Sequence, residues 1–565
     1  MSTSRKSRRL SSFLSFSLFI FHFDFYLLLT LSALLLPRTL PAQAFTPAEY
    51  RKALWMATRF YGGQRSGDGP NWLIMEHKAG KDFTRDADGE YSLAGGWHDC
   101  GDHVKYGQTQ FYSAYMLLKA YSEFPAGFDD NYGPDYAGYR KSGDFTWEGA
   151  KGEPNGIPDL LDEAKYATDY FIRCARSETE FYNQVGEGNL DHKNWVTSVH
   201  MSTLPSSDGG QARKAFKNPN DASMPSFCGA SLSLMARLYR KFDPAYAAIC
   251  LTHARYAFAY AKAHPGTEGT KDGGFYPANA KWQDDFVTLA VELHRATGDA
   301  SYLEEAKRLA SSVSDHNYTL CYNNNDDLAA YNLGVNGQAD KTALLQKITD
   351  RYKASVNSSG VGTTGDTWGR LRFPMNQAFA VALSAKLKGA AGVDAFAYKN
   401  LDYVLGSNSA GQSFLVGFGT KSPQKPHHRN IYLNDENPGN KNTLVIPERN
   451  RQAGILMGGT LNPGEYKDDV GSYEFTEGCI DYNAGLVATL GYVLSMTAPV
   501  DTSRFKGGSV GIWEREEKAK KHKPAGRGNT TRQLDVDGLG RWIGFGEYGP
   551  VQRNVFAPVF GGVNP

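Results

Sequence analysis

Residues 284–299, DDFVTLAVELHRATGD, indicate the fold class of this chain. The apolar side chains of this stretch recur at the spacing of a helix with one buried face: Phe286, Leu289, Ala290 and Leu293. Gly298 ends the segment as a helix stop. Residues 155–175, NGIPDLLDEAKYATDYFIRCA, begin a second helix, with a proline in the first turn and acidic residues just after it. Alternating strand patterns are almost absent, so the sequence predicts an all-α protein.

About a dozen such helical segments follow one another between residues 45 and 500. We place them at 47–61, 108–123, 158–174, 227–241, 244–263, 283–296, 301–313, 326–334, 341–354, 373–387, 394–405 and 481–496. Short turns such as 241–244 make neighbouring helices antiparallel. Twelve paired helices in one layer close most naturally into a barrel of six hairpins. Long polar loops interrupt the helices, and loops of this length are typical of functional sites: 62–107, 125–157, 176–226 and 406–480.

Composition excludes several classes of protein. The 565 residues carry 61 basic and 60 acidic side chains, a formal net charge of +1, and 41% are hydrophobic. This composition is typical of globular proteins. A net charge so close to zero provides no field to hold a polyanion, so nucleic acid is not an expected partner. Six cysteines occur without any CxxC spacing, which excludes zinc-ribbon and thioredoxin motifs.

The two ends of the chain differ from its body. Residues 1–44 combine a basic start, an apolar run and the small-residue site Ala42-Gln43-Ala44, which together predict a secretory signal peptide. The alternative is a membrane anchor, but Asp24 in the middle of the run would be costly there. We therefore expect a secreted protein without stable membrane association after cleavage. Residues 501–565 are basic and glycine-rich and are predicted to form a tail.

The first cluster of chemical interest is GGWHDCGDHVKY, residues 95–106. Asp99 and Asp102 lie three residues apart in a glycine-flanked turn, where two carboxylates can face one cleft and one can hold the other ionised as a base. A solvated capping turn is the alternative. His98 and His103 also suggest a metal site, although sequence neighbours seldom all face one ion.

Two further clusters follow in the longest loop. His427 and Arg429, in the sequence PHHR, can donate hydrogen bonds to a polar ligand, although such a triplet is also common on surfaces. Residues 466–484 place Asp468, Glu477 and Asp481 just before the last helix. These acids could reach the same site as the first cluster, or simply favour the start of a helix.

The three clusters, in this order, resemble the signatures of glycoside hydrolase family 9, the endoglucanase or cellulase family. The resembling motifs are GGWHDCGDHVKYG, SxLVxxGxKxxxxPHxR over residues 413–429, and YxDxxxxYxxxE with DYNAG over residues 466–485. The resemblance covers residues 45–500 as one catalytic domain. It implies an (α/α)6 barrel with long active-site loops and hydrolysis of β-1,4-glucan with inversion.

The resemblance also implies roles for the acids. Asp102 would be the base that activates water, Asp99 would hold the same water or orient Asp102, and Glu477 would protonate the leaving oxygen. Because the acid must stay protonated while the base is ionised, Glu477 is expected to be the more desolvated of the two.

Other positions follow from the same motifs. His427 and Arg429 match a pair that binds sugar hydroxyls, Asp468 matches an acid that precedes the catalytic Glu, and Tyr482 would contribute to the same subsite. Trp368 matches a sugar-stacking position. Less specific stacking candidates are Trp72, Trp97, Trp195 and Trp282.

The chain departs from the family pattern at two cysteines. Cys100 stands where Ala is more usual, and Cys479 replaces a small residue two positions after the acid. Because both flank catalytic acids, we hypothesise that they approach one another and form a disulfide. The chemistry requires no cofactor; a structural calcium ion is possible in this family, but no ligand set can be mapped.

We therefore expect a monomeric, secreted β-glucan hydrolase. Two alternatives from other classes stay open: a non-hydrolytic glucan-binding protein on the same barrel, disfavoured by the presence of all three carboxylates, and a metal-dependent hydrolase built on the histidines. Within the enzyme class, the sequence does not separate cellulose from mixed-linkage glucan or xyloglucan.

Overall fold

The computed structural model describes residues 44–67, 82–131, 154–272, 274–432, 437–445 and 454–506. Twelve helices of nine or more residues lie within these ranges. They are α1 (Pro47–Gly63), α2 (Gly107–Glu123), α3 (Asp159–Cys174), α4 (Ser223–Tyr239), α5 (Pro244–Ala263), α6 (Gln283–Thr297), α7 (Ala300–Arg308), α8 (Asp326–Val335), α9 (Ala339–Ala354), α10 (Arg372–Leu387), α11 (Ala395–Leu405) and α12 (Ile480–Thr497). Each of them corresponds to one of the predicted segments.

Two of the predicted helices have boundaries that are wrong by more than two residues. Helix α4 begins at Ser223 rather than at residue 227, because Pro225 fits a first helical turn, where no intrahelical N–H is needed. Helix α7 ends at Arg308, and a 3₁₀ turn at Ala310–Ser312 replaces the rest of the predicted segment. Serine side chains compete with the backbone for hydrogen bonds, which disfavours further helix in this stretch.

Local side chains fix many of the helix ends. Thr46 and Glu49 form a reciprocal capping box at the start of α1. Aspartate side chains cap the backbone at the start of three other helices, α5, α7 and α11: Asp243, Asp299 and Asp394. Gly298 and Gly406 follow α6 and α11 in the left-handed conformation that glycine adopts at low cost.

Six helices form a closed inner ring. Helix α2 packs on α4, α4 on α6, α6 on α8, α8 on α10, α10 on α12, and α12 packs back on α2. The other six lie against this ring, with α1 on α12, α3 on α2, α5 on α4, α7 on α6, α9 on α8 and α11 on α10. The predicted (α/α)6 barrel is therefore confirmed.

The burial of α12 shows how the ring is closed. This helix is buried without interruption from Ile480 to Leu494, the pattern of a helix that is surrounded by others. It begins at Ile480, three residues after the predicted acid Glu477. The last motif is thus attached to one of the most enclosed elements of the barrel, which gives its side chains a rigid base.

Short elements organise the loops at the site. Strands β1 (Ala87–Asp88) and β2 (Tyr91–Ser92) form a hairpin. Strands β3 (Lys105–Tyr106), β4 (Gln184–Val185) and β5 (Ala215–Phe216) form an antiparallel sheet, with Lys105 opposite Val185 and Gln184 opposite Phe216. This sheet ties the loop before α2 to the loop after α3. It therefore fixes Asp102 beside residues near 190.

The predicted signal peptide lies outside the described residues except for Ala44, and the predicted tail lies outside them except for residues 501–506. Within that part of the tail, Thr502–Arg504 form a 3₁₀ turn and Arg504 pairs with Asp129. In the described ranges, none of the helices has the length and apolarity that crossing a membrane requires.

Candidate active site

The loop 95–106 brings the two aspartates of the first motif together. Asp99 and Asp102 are 3% and 5% exposed. A carboxylate oxygen of each lies within 4.8 Å of the other and of the Cys100 sulfur. The solvated capping turn that was the alternative at these positions does not form, because both acids are buried.

Asp99 is held by two hydroxyl groups. The Tyr276 hydroxyl donates to Oδ2 at 2.5 Å, and the Thr109 hydroxyl donates to Oδ1. Burial raises the pKa of Asp99 well above its usual range, and the charge of nearby Asp102 raises it further. Neither hydroxyl was predicted from the sequence. Tyr276 is 177 residues from Asp99 and carries no local signal, whereas Thr109 lies in the first turn of α2.

Asp102 accepts hydrogen bonds from the backbone and lies among charged side chains. It accepts the N–H groups of Cys100 at 3.1 Å and Val104 at 3.4 Å. Burial raises its pKa, and the negative charge of Asp191 adds to this effect, whereas the positive charge of Arg429 lowers it. The ionisation of Asp102 is therefore set by a balance of charges around it.

Glu477 is fixed through its backbone on both sides. Its N–H donates to Tyr473 O at 2.9 Å, and its carbonyl accepts the N–H of Gly458 at 2.8 Å. A parallel bridge pairs it with His427. The side chain is half-buried and points toward Cys100, with an oxygen within 4.8 Å of that sulfur. The structure thus joins the first and third motifs.

A disulfide links these two motifs covalently. Cys100 and Cys479, 379 residues apart, are bonded, which confirms the hypothesised pair. Beside it, the Ile480 N–H donates to Asp99 O at 3.1 Å. The remaining cysteines are free and buried: Cys174, Cys228, Cys250 and Cys321.

The relative burial of the acid and the base differs from the prediction. Glu477 is half-buried, whereas Asp102 is only 5% exposed, so the acid is not the less exposed of the pair. The physical reason is that backbone N–H groups of its own loop hold the Asp102 side chain inward, whereas Glu477 lies next to exposed aromatic side chains. Burial nevertheless raises the pKa of Glu477 to about 8, and the charge of Asp102 raises it as well, against hydrogen bonds from Trp368 and the Gly101 N–H that lower it.

His427 and Arg429 lie beside the carboxylates but differ in their surroundings. The His427 ring contacts Val470 O through Nδ1 at 2.6 Å, and burial lowers its pKa to about 4, so the ring is neutral. Arg429 is 4% exposed and its Nη1 donates to Asp191 Oδ2 at 2.8 Å. This pairing keeps the pKa of Asp191 well below its usual range. Nothing in the sequence predicted Asp191 as a partner of Arg429.

The other two acids of the third motif lie in different surroundings. Asp468 is exposed, and its carboxylate accepts the backbone N–H groups of Gln424 at 2.7 Å and Lys425 at 2.9 Å. It therefore fixes the loop that leads to His427. Asp481 is buried in an ion pair with Arg372 at 2.7 Å, at the junction of α10 and α12.

Two exposed aromatic rings lie next to Glu477. Trp368 is 46% exposed and Tyr473 is 43% exposed, and their ring centroids are 5.0 Å apart. The Tyr473 ring also contacts the ring of His427, at 5.8 Å. These rings form a partly open apolar surface at the acid. Tyr482, in contrast, is only 2% exposed and packs against Gly369, so its ring lies beneath that surface.

The less specific tryptophan candidates for sugar stacking lie in different environments. Trp97 is fully buried and donates to Glu163, as a core residue does. Trp282 packs on Phe286 beside α6. Trp195 contacts the His427 ring at 4.7 Å and is 9% exposed, so it borders the site. Trp72 lies outside the described residues.

Three groups of potential metal ligands occur in the described part of the chain. They are Cys100 with Glu477 and Cys479, Asp99 with Cys100 and Asp102, and Asp102 with Asp191 and His192. Two of these groups use sulfurs of the disulfide, which are not the thiolates that bind metals. In the third, Asp191 is already paired with Arg429. These groups therefore do not fit a structural calcium or zinc ion.

The histidines of the first motif are also engaged by the protein. Both are fully buried. His98 contacts His103 O at 2.8 Å and Asp82 at 3.2 Å, and His103 contacts Val196 O at 2.9 Å. Burial lowers the pKa of His103 well below its usual range. These contacts place both rings in the structural support of the loop.

Comparison with known proteins shows which family this chain resembles. The family model described as glycosyl hydrolase family 9 matches residues 50–490. Endoglucanase A of Fibrobacter succinogenes is 34% identical over 433 residues, which cover 73% of this chain and 93% of that protein.

Solved structures agree with the sequence match. The endoglucanase of the termite Nasutitermes takasagoensis superposes with a TM-score of 0.66 at 28% identity, over 80% of this chain and 99% of that one. The cellulase Cel9M of C. cellulolyticum, in a complex with cellobiose, superposes with a TM-score of 0.64 at 28% identity, over 79% and 98% of the two chains. Because the family model spans the barrel and all three site motifs, the chain belongs to glycosyl hydrolase family 9.

Proposed function

We propose that this protein is a secreted endo-β-1,4-glucanase (EC 3.2.1.4) that hydrolyses cellulose or a related β-glucan with inversion. The observation that carries the proposal is the position of two carboxylates around one sulfur. An oxygen of Asp102 and an oxygen of Glu477 each lie within 4.8 Å of Cys100 Sγ. Their separation is therefore at most twice that distance, so both carboxylates can reach one glycosidic bond; inversion is proposed from the family resemblance.

The reaction uses these two groups and one water molecule. Asp102 removes a proton from the water, which attacks the anomeric carbon from the face opposite the leaving oxygen. Glu477 donates its proton to that oxygen as the bond breaks. Asp99, fixed by the hydroxyls of Tyr276 and Thr109, orients Asp102 and the water. Proton exchange with solvent restores both groups.

The charges around the pair support this division of roles. The pKa of Glu477 is raised to about 8, so this side chain is protonated at neutral pH and can act as the acid. Asp102 accepts two backbone N–H groups and lies near the positive charge of Arg429, which favour its ionised form. The backbone hydrogen bonds stabilise the ionised form of Asp102, which suits a base. This difference in hydrogen bonding, and not a lower exposure of Glu477, distinguishes the base from the acid.

The side chains that bind sugar are proposed to be those beside Glu477. Glucan rings have flat apolar faces, and the exposed rings of Trp368 and Tyr473 provide area for stacking beside the acid. The neutral His427 ring lies next to Tyr473, in reach of a sugar hydroxyl. We assign Arg429 to holding Asp191 and to tuning Asp102, and Asp468 to positioning the loop that carries His427.

The wider context of the enzyme follows from the sequence. The pattern of residues 1–44 supports secretion, and the net charge of +1 does not favour a polyanionic partner. All three carboxylates come from one chain, so the proposed site is complete in a monomer. Water and carboxylates suffice for the proton transfers, so the proposed reaction requires no metal.

A glucan-binding protein without activity is the second candidate, and one experiment separates the two. Reducing-sugar release from carboxymethylcellulose, barley β-glucan and xyloglucan is measured for the wild type and for Glu477→Gln. We expect the wild type to release sugar from at least the first two, and the variant to lose activity while it still binds glucan in affinity electrophoresis. Wild-type binding without sugar release would support the second candidate.

A further inference from the structure

We propose that the Cys100–Cys479 disulfide is a positioning element of catalysis, which holds the loop of the base against the acid, so that its reduction slows hydrolysis without abolishing glucan binding. This inference rests on the proposed function. It assigns a role to two residues that neither touch the sugar nor transfer a proton.

The position of the bond in the chain supports this role. Cys100 lies two residues before Asp102, and Cys479 lies two residues after Glu477. The bond therefore links the two loops only two residues away from the base and from the acid. The chain between the two cysteines spans 379 positions, so no local structure can keep these loops in register.

Within the described residues, the other connections between the loops are non-covalent. The Gly101 N–H donates to the Glu477 side chain, Asp99 O accepts the Ile480 N–H at 3.1 Å, and Gly101 O accepts the Arg429 N–H at 3.2 Å. Each such hydrogen bond contributes only about 0.5 to 1.5 kcal/mol net. A covalent bond at the same place restricts the loops far more strongly than any of these contacts.

Reduction removes the covalent link and leaves two thiols between the loops. Both cysteines are buried, at 6% and 2% exposure, so the two thiols cannot simply turn into solvent. The thiols must be accommodated between the loop of the base and the loop of the acid, and a misplacement of about 1 Å there can cost about a hundred-fold in rate.

The chemical step is a thiol–disulfide exchange. Dithiothreitol, a dithiol, attacks one sulfur as its thiolate and forms a mixed disulfide, which its second thiol resolves. The reagent becomes a cyclic disulfide, and two electrons and two protons pass to Cys100 and Cys479. Removal of the reagent and exposure to oxidised glutathione reverses the exchange.

The test uses the full chain in its oxidised and reduced forms. Thiols are counted after denaturation, with four expected for the oxidised form and six after reduction. The double variant Cys100→Ser/Cys479→Ser keeps two side chains of similar size but cannot form the bond, and Cys250→Ala, at a free buried cysteine on α5, is the matched control. Near-ultraviolet circular dichroism at the assay temperature confirms that each form is folded.

We expect kcat to fall about ten- to a hundred-fold on reduction and to recover on reoxidation. KM should change by less than about two-fold, because the stacking rings belong to Trp368 and Tyr473, which contact Glu477 itself and, in the described residues, are not held by the loop of Asp102. A merely structural bond would not move the pH profile. Here the basic limb should shift to lower pH, because the charge of Asp102, which raises the pKa of Glu477, moves away. The double variant should match the reduced form, and Cys250→Ala should match the wild type.

Three results would overturn the proposal. A fully reduced, folded enzyme with unchanged kcat and an unchanged basic limb would show that the bond does not position the carboxylates. Equal activity of the double variant and the wild type would show the same. If the oxidised wild type itself hydrolyses no glucan, the proposed function fails, and the role assigned to the disulfide fails with it.

Discussion

Gly101 and His427 approach so closely that no side chain fits between them. A Cβ added to Gly101 would lie 2.2 Å from the backbone oxygen of His427. This contact brings the loop of Asp102 against the loop of the H-x-R pair, one residue from the base. Since the obstacle is backbone rather than a flexible side chain, the loops can accept a larger residue only by moving apart.

Gly101→Ala is therefore expected to lower kcat/KM about a hundred-fold, because it displaces Asp102 by roughly 1 Å. Gly392→Ala is the matched control, since a Cβ there meets no atom within 4 Å. Steady-state assays on soluble cello-oligosaccharides measure both. Comparable activity of the two variants would show that the close approach is not needed for catalysis.

Trp368→Phe tests the hydrogen bond to the acid. The Trp368 donor lowers the pKa of Glu477 against the stronger effect of burial, which raises it to about 8. Glu477 must be protonated to act, so activity is lost as the pH rises through its pKa. Phe keeps an aromatic face but removes the donor, and we expect the basic limb of the kcat profile to move to higher pH. A limb that stays in place or moves down would contradict this contact.

The acidic limb reports the ionisation of Asp102. Activity should fall as the pH drops through this pKa, which burial and the charge of Asp191 raise above its usual value. Asp191→Asn removes a negative charge, so the acidic limb of kcat/KM should move to lower pH. Arg429→Gln removes a positive charge and should move it to higher pH. Shifts in the same direction for both variants would contradict the assigned balance of charges.

Arg372 and Asp481 connect α10 to α12 beneath the site through a buried ion pair of 2.7 Å. Arg372→Met leaves the Asp481 charge without its partner and should lower the free energy of unfolding by about 3–5 kcal/mol. The double variant Arg372→Met/Asp481→Leu should lose less, because no unpaired charge is left. Urea unfolding measures both, and a larger loss in the double variant would contradict this explanation.

Local patterns predicted the helices of the barrel because each helix carries its own signals. Helix α6 has the apolar spacing of residues 284–299 and its stop at Gly298, and both hold in the structure. The predicted helix boundaries were wrong where such signals were weak, as at the serine-rich end of α7. The disulfide was inferred because Cys100 and Cys479 each stand beside an acid that the family motifs place at one site.

Partners that are distant along the chain could not be predicted in this way. Tyr276 reaches Asp99 from a loop 177 residues away, and Arg429 pairs with Asp191 from 238 residues away. Neither contact leaves a spacing or a composition signal. The deep burial of Asp102 was also not predicted, because the sequence does not reveal that backbone N–H groups of its own loop hold this carboxylate.

The central claim is that Glu477 and Asp102 act as acid and base in an inverting hydrolysis. The most direct measurement is proton NMR of the anomeric signals in the first minutes of cellopentaose hydrolysis by the wild-type enzyme. Attack by water opposite a β-linked leaving group must release the α-anomer first, which then equilibrates with the β-anomer. Initial release of the β-anomer would contradict the account.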